Sequence, residues 1–202
     1  MLELQNKIKK YMSDYRYMHT LSVAKECERL ADMFGADKEK LVTAAYLHDV
    51  TKEMTEEEQF ALCEEYGIEL DKDTLDSPKT MHSFSAPLLI SKDFPEYKDD
   101  IVLEAVKYHT TGKADMNIYE KLLYLADYIE PTRKFDDCIK VRNYFYSSLE
   151  NGVPYKEALD KTLLLSLKIT IDGLKQENRK IHKETINAYD FLLKNTGDQN
   201  NG

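Results

Sequence analysis

Residues 41–52 read LVTAAYLHDVTK, and Leu41, Ala44, Ala45 and His48 fall at i, i+3, i+4 and i+7, the spacing of one buried helix face. Asp37 is placed to cap the start of that helix, which ends at His48-Asp49. The apolar stripe therefore finishes on two polar side chains. The same pattern recurs on both sides. Val23, Cys27, Leu30 and Phe34, spaced 4, 3 and 4, define an earlier helix stopped by Gly35, and His19 continues its stripe backwards. Downstream, His82 shares a face with Ala86 and Leu89 in a helix that Pro87 could kink. His109 follows Val102, Ala105 and Val106 at the i+7 position, with Gly112 just past the end. A further helix from about Asn117 to Glu130 sets Leu123 and Asp127 four apart before Pro131 breaks it.

The rest of the chain supports an all-α reading. Leu2 to Met12 forms a short leading helix, and Thr55 with Glu58 has the form of a capping box for a helix carrying Phe60, Ala61 and Cys63 as far as Gly67. Residues 68–79, with Asp76-Ser77-Pro78, read as a loop. Two or three more helices are expected up to Leu193, one beginning near Pro154. Residues 1–194 are expected to form one domain, and 195–202 (NTGDQNNG) a disordered polar tail. Seven glycines and five prolines in 202 residues are about half the usual share, too few turns for a sandwich or barrel. The fold expected is a single-domain helical bundle.

With 28 Lys and Arg against 37 Asp and Glu, the formal net charge is −9, which argues against general nucleic-acid binding. No apolar run approaches membrane-spanning length, and no signal-peptide core opens the chain. Cys27, Cys63 and Cys138 are scattered without metal-clip or disulfide spacing. They read as free thiols of a cytoplasmic protein. Oligomeric state stays open, a homodimer included.

One His-Asp dipeptide decides nothing, but four histidines on the apolar stripes of four different helices do. A buried imidazole or carboxylate costs several kcal/mol unless partnered. A shared metal ion would satisfy them together. His48 and Asp49 chelate it most easily at a helix end, and His19 and Asp127 close the site from two other helices. This mixed nitrogen and oxygen donor set suits iron, manganese, cobalt or zinc better than magnesium.

His19, His48-Asp49 and Asp127, in that order, resemble the H…HD…D signature of the HD-domain metal-dependent phosphohydrolases. The strings RYMHTLSVA (16–24), AAYLHDVTK (44–52), MHSFSAPLL (81–89), EAVKYHTTGK (104–113) and LLYLADYIEPTRKF (122–135) are similar to the YqeK family, bacterial HD-domain hydrolases that split diadenosine tetraphosphate symmetrically. The resemblance covers roughly residues 10–190. It departs from the family at Thr51, where a small residue such as Ala is expected. The resemblance implies one ion, most simply iron, on His19, His48, Asp49 and Asp127, with His82 and His109 facing the substrate phosphates. A second ion on His82 and His109, bridged by Asp49, is the alternative. The catalytic set expected is Asp49, His82, His109 and Lys52, and the substrate set is Arg16, Asp49, His82, His109, Thr110, Asp127 and Arg133.

Arg16, Lys52 and Arg133 lie close to ligands in sequence and would supply the positive field that an anionic substrate needs. Against this, Arg133 could pair with Glu130, Asp136 or Asp137, and Lys52 with Glu53 or Glu56. Thr110-Thr111-Gly112 is either a helix ending or a phosphate-contacting loop. His182, in NRKIHKE, reads as a solvated surface residue, with contact between this C-terminal helix region and a nucleoside as the alternative that the family resemblance implies. Glu56 to Glu58 read as a favourable first helical turn. The 14 tyrosines are mainly core and rim, with one or two free for base stacking. The rival functions are an HD hydrolase of other nucleotides, such as triphosphates or alarmones, and a regulatory module with a structural metal.

Overall fold

A computed structural model describes residues 1–197 and contains no strand among them. Its helices are α1 (Leu2–Ile8), α2 (Asp14–Phe34), α3 (Lys38–Leu47), α4 (Glu56–Glu65), α5 (Lys72–Leu75), α6 (Met81–Asp93), α7 (Asp100–Tyr108), α8 (Ile118–Ile129), α9 (Asp136–Glu150), α10 (Tyr155–Gln176) and α11 (Lys183–Asn195). Local chemistry sets most of these boundaries. Ser13, Asp37, Thr55, Asp71, Asp99 and Asn117 each accept a backbone N–H from the first turn that follows them. The box at Thr55 and Glu58 is complete, and Asn117 with Glu120 forms a second. Gly35 closes α2 in the left-handed conformation.

Helix α2 packs along α3 and α8, α7 lies against α3, α6 and α8, and α4 covers α6. At the other end α10 packs between α9 and α11. Leu30, Leu41, Leu47, Leu122, Leu123, Leu125 and Phe145 are fully buried between these layers. The three cysteines are free and buried. No helix among the described residues is long and apolar enough to cross a membrane.

Several expectations need correction. The leading helix ends at Ile8 and continues only as a 3-10 turn, Lys9–Tyr11. The stretch expected as loop contains α5, started by the Asp71 cap, and a 3-10 turn at Pro78–Thr80. In α4 it is Gln59, Leu62 and Cys63 that face inward, leaving Phe60 exposed. Asn195, where the polar tail was expected to begin, is the last residue of α11. The rest of that expectation, at 198–202, lies outside the described residues.

Gly112 holds the turn after α7 with φ +65°, and a Cβ placed there would lie 3.1 Å from the Ala188 Cβ of α11. Left-handed strain and this close approach both oppose a side chain. Gly112→Ala is expected to cost about 2 kcal/mol in urea denaturation, the sum of backbone strain and displaced packing.

Candidate active site

The helix ends deliver the polar groups. Helix α3 stops at Leu47, His48 keeps helical dihedrals, and the chain then descends through tight turns closed by Lys52 N–H to Asp49 O and Met54 N–H to Thr51 O. This bend lets the adjacent side chains of His48 and Asp49 face the same space. The Nδ1–H of His48 donates to Ala45 O at 2.6 Å, which leaves a lone pair on its Nε2. That Nε2 lies 3.4 Å from Asp49 Oδ2 and 3.8 Å from Asp127 Oδ1. From α2, His19 presents its Nε2 at 3.0 Å from Asp127 Oδ1 and 3.7 Å from Asp49 Oδ2. Both Nε2 atoms are buried without a hydrogen-bond partner.

Buried polar atoms are normally satisfied, so two orphans aimed at the same pair of carboxylates call for a cation. Donor atoms of His19, His48 and Asp127 lie within 4.8 Å of one another, as do those of His48, Asp49 and His109. Two imidazole nitrogens with carboxylate oxygens fit a divalent transition ion.

His19 is held from behind by a residue whose position in the sequence suggests only a partner for Arg133. Its Nδ1–H donates to Glu130 Oε1 at 3.1 Å, and Glu130 is fully buried at the end of α8. Glu130 also accepts from the Thr132 amide and hydroxyl at 2.6 and 2.7 Å. Arg142 of α9 braces this corner by donating to the carbonyls of Ile129, Glu130 and Arg133. Burial resists ionisation of Glu130, but His19, Ser22 and Thr132 outweigh it and bring its carboxyl down to about 2.

The opposite wall is self-satisfied. Lys52 Nζ lies 3.2 Å from the Nδ1 of His82, whose Nε2 lies 3.2 Å from the Nε2 of His109, whose Nδ1–H donates to Val106 O at 2.6 Å. Lys52 Nζ is equally 3.2 Å from the Nε2 of His82, so the ammonium lies between the two ring nitrogens, and the tautomer in which His82 Nε2–H donates to His109 leaves Nδ1 to accept from Lys52. The Thr110 hydroxyl sits 3.1 and 3.0 Å from the two Nε2 atoms, and Asp49 Oδ1 is 3.3 Å from that of His82.

The field is strong and balanced. Arg16 donates to Asp49, and Arg133 to Asp127, each at 2.6 Å. Burial opposes the charge on Asp49, but the imidazoles of His48, His109 and His82 hold its carboxyl well below the usual range. Asp127 is likewise held down against burial, by Arg133 and His19. Burial lowers the affinity of His19 for a proton, yet Asp127, Glu130 and Asp49 reverse this and raise it from 6.5 to about 9. His82 and His109 go the other way because burial dominates, so both are neutral. A cavity of about 190 Å³ opens over these groups, lined by Arg16, Asp49, Lys52, His82, His109, Thr110, Tyr124, Asp127, Tyr128, Arg133 and Thr170.

Residues 16–132, which contain the whole ligand cluster, match the model of the HD domain. At 31% identity the sequence aligns with the "Bis(5'-nucleosyl)-tetraphosphatase, symmetrical" of Halalkalibacterium halodurans, over 92% of this chain and 93% of that one. The protein of the same name from Bacillus subtilis is also 31% identical, over 92% of this chain and 94% of the relative. The chain belongs to the HD-domain family, in the branch of these tetraphosphatases. A solved structure of a "predicted HD superfamily hydrolase involved in NAD metabolism" from Clostridium acetobutylicum superposes with a TM-score of 0.84 at 28% identity, covering 96% of both chains.

The HD fold thus gathers His19, His48, Asp49, Asp127, His82, His109, Lys52, Thr110, Arg16 and Arg133 into one site. Arg133 pairs with Asp127, not with Glu130, Asp136 or Asp137, and Lys52 faces His82, not Glu53 or Glu56. His182 corrects the surface reading, because it is 3% exposed, caps α11 through Nδ1, and meets Thr74 Oγ1 at 3.2 Å. Its charged neighbours in sequence hid a side chain that turns inward. Tyr124, Tyr128 and Thr170 also line the cavity and could not be told apart in the sequence, since helical spacing alone does not separate core from cavity wall.

Glu130→Ala would strand the buried His19 Nδ1–H and free the Thr132 amide and hydroxyl from their carboxylate. A loss of about 2–4 kcal/mol is expected in chemical denaturation, with Glu130→Gln recovering part of it.

Proposed function

We propose that this HD domain hydrolyses dinucleoside tetraphosphates, diadenosine tetraphosphate foremost, at the central anhydride to give two nucleoside diphosphates. The observation that carries this reading is the pair of orphaned Nε2 atoms on His19 and His48, facing Asp49 and Asp127 on the floor of a cavity ringed by Arg16, Lys52 and Arg133. The names of the curated relatives supply the substrate class. We assign His19, His48, Asp49 and Asp127 as ligands of one divalent transition ion, iron first, with manganese, cobalt or zinc able to replace it. The contrast between the two walls supports a single ion, because His82 and His109 satisfy one another while His19 and His48 do not.

Such an ion supplies acidified water and polarisation of a phosphoryl oxygen. The chain does the rest. Arg16 and Arg133 fix the two carboxylates and extend the positive edge of the cavity toward the phosphates, while Lys52 and the Thr110 hydroxyl face the opposite oxygens. Charge builds on the diphosphate that departs. The His82–His109 pair, with Lys52 beside it, is placed to pass the proton on His82 Nε2 to that oxygen, and the buried wall keeps stray water away. Water adds across one P–O bond, so that one product takes the hydroxyl and the other the proton. All these residues come from one chain. The three buried, unpaired thiols are consistent with a reducing cytoplasm.

Chromatography of products from metal-loaded protein is expected to show adenosine diphosphate alone. Monophosphate plus triphosphate would place attack on an outer phosphorus and overturn the symmetric reading. His109→Ala is expected to keep about one metal per chain and to lose roughly 100-fold in turnover, the usual scale for a lost proton donor. A wild-type stoichiometry near two, falling in the variant, would replace one ion by two.

A further inference from the structure

The turn that joins α3 to α4 carries Asp49 and Lys52, and α6 carries His82, so the separation of these two backbones sets how the three side chains meet. Val50 N–H to Leu47 O, Lys52 N–H to Asp49 O and Met54 N–H to Thr51 O close the turn on itself. It therefore moves as a unit.

Thr51 stands between the two functional positions of the turn, is fully buried, and does not line the catalytic cavity. Its hydroxyl donates to the carbonyl of His82 at 2.8 Å. The Ser85 hydroxyl, three residues further along α6, lies 2.9 Å from Thr51 Oγ1 and 3.1 Å from Gln59 Oε1, and reaches the His82 carbonyl at 3.3 Å. Gln59 of α4 completes the set by donating from Nε2 to Met54 O at 3.0 Å, at the far end of the same turn. Three buried side chains thus tie the turn, α4 and α6 together. Thr51 is also where the sequence departs from the pattern of the family it resembles, and Ala at that place would have no hydroxyl to offer.

Apolar contact alone could hold the two backbones together. What a hydroxyl adds is a set direction and separation, because a hydrogen bond weakens steeply when it is stretched or bent. With Ser85 and Gln59 behind it, Thr51 cannot turn away without leaving a buried polar atom unpaired. The precision reaches the site. Lys52 Nζ lies 3.2 Å from both ring nitrogens of His82, and Asp49 Oδ1 lies 3.3 Å from its Nε2. A shift of α6 by about 1 Å away from the turn would carry these contacts out of hydrogen-bonding range.

We propose that Thr51 is a positioning residue for the reaction, and that its hydroxyl, backed by Ser85 and Gln59, sets His82 in register with Lys52 and Asp49. It acts through His82 and touches neither ion nor substrate. The inference rests on the proton-donating role given above to the His82–His109 pair.

The test uses the full chain loaded with divalent metal. Thr51→Val keeps the branched shape and removes the hydroxyl, and is expected to lower kcat on diadenosine tetraphosphate about tenfold or more, the scale on which a displacement of about 1 Å is felt, with KM and metal content near those of the wild type. Thr51→Ser restores the hydroxyl and is expected to recover most of kcat. Thr162→Val removes an equally buried hydroxyl of α10, one that donates to Ala158 O, and is expected to lower the urea midpoint and leave kcat alone. In a His82→Ala background, Thr51→Val is expected to cost kcat nothing further, because the group through which it acts is gone. Wild-type kcat in Thr51→Val, a Thr51→Ser protein as slow as Thr51→Val, an equal fall in Thr162→Val, or an undiminished loss in the His82→Ala background overturns the proposal. Ser85→Ala removes the support behind Thr51 and leaves the bond to His82 in place; a smaller fall in kcat is expected, and an unchanged kcat there counts against the network even if Thr51→Val does not fold. A crystal structure of metal-loaded Thr51→Val is expected to show His82 drawn away from Lys52, beyond hydrogen-bonding range, and a separation still at 3.2 Å overturns the placement whatever the rates. If His82→Ala itself keeps full turnover, the role given to His82 falls, and that structure still decides whether Thr51 sets its place.

Discussion

Two buried imidazole nitrogens, the Nε2 atoms of His19 and His48, face two carboxylates with no hydrogen bond to join them, and the architecture around them serves to keep that confrontation in place. Both carboxylates are ionised against the cost of burial, Asp49 because the imidazoles of His48, His109 and His82 surround it and Asp127 because of Arg133 and His19. His48 is locked by the carbonyl of Ala45, and His19 by Glu130. Glu130 is in turn fixed by Thr132 and by the Arg142 brace on the adjoining carbonyls. Each layer satisfies the one inside it. Asp127, Glu130 and Asp49 surround His19, which is why it holds its proton so firmly and why a divalent cation suits the same place.

The two walls of the site divide the labour by polarity. On one side carboxylate oxygens and the Nε2 atoms of His19 and His48 point at a common space. On the other, Lys52, His82 and His109 form a closed relay that ends on the Val106 carbonyl, and burial keeps both of its imidazoles neutral. A neutral imidazole pair facing the carboxylates can both give and take a proton near neutral pH. Asp49 touches both walls and couples them.

Residues 16–132 carry this machinery, and the helices that follow do different work. Arg142 of α9 stiffens the corner behind His19, Thr170 of α10 closes the cavity, and the approach to α11 buries His182 against Thr74 and Phe84. The later helices therefore shape the space around the reaction centre without supplying a metal donor. Separating chemistry from enclosure in this way lets one catalytic core serve differently shaped substrates.

The helical architecture was legible from residues 41–52 outward, because apolar spacing and capping side chains act over one or two turns. Hence α2, α3, α7 and α8 lie where periodicity places them, and His19, His48, His82 and His109 all turn inward. The ligand candidates could be read for the same reason, since a polar group on an apolar stripe contradicts its surroundings. Partners separated by long stretches of chain could not be read. Glu130 behind His19, Asp127 for Arg133, and Thr74 for His182 are chosen by how helices pack, and nothing in local spacing distinguishes them from nearer acids and hydroxyls. Sequence by itself determined which residues resist burial. The tertiary structure decided what each of them faces, because only packing brings together, within hydrogen-bonding range, groups such as His19 and Glu130, 111 positions apart.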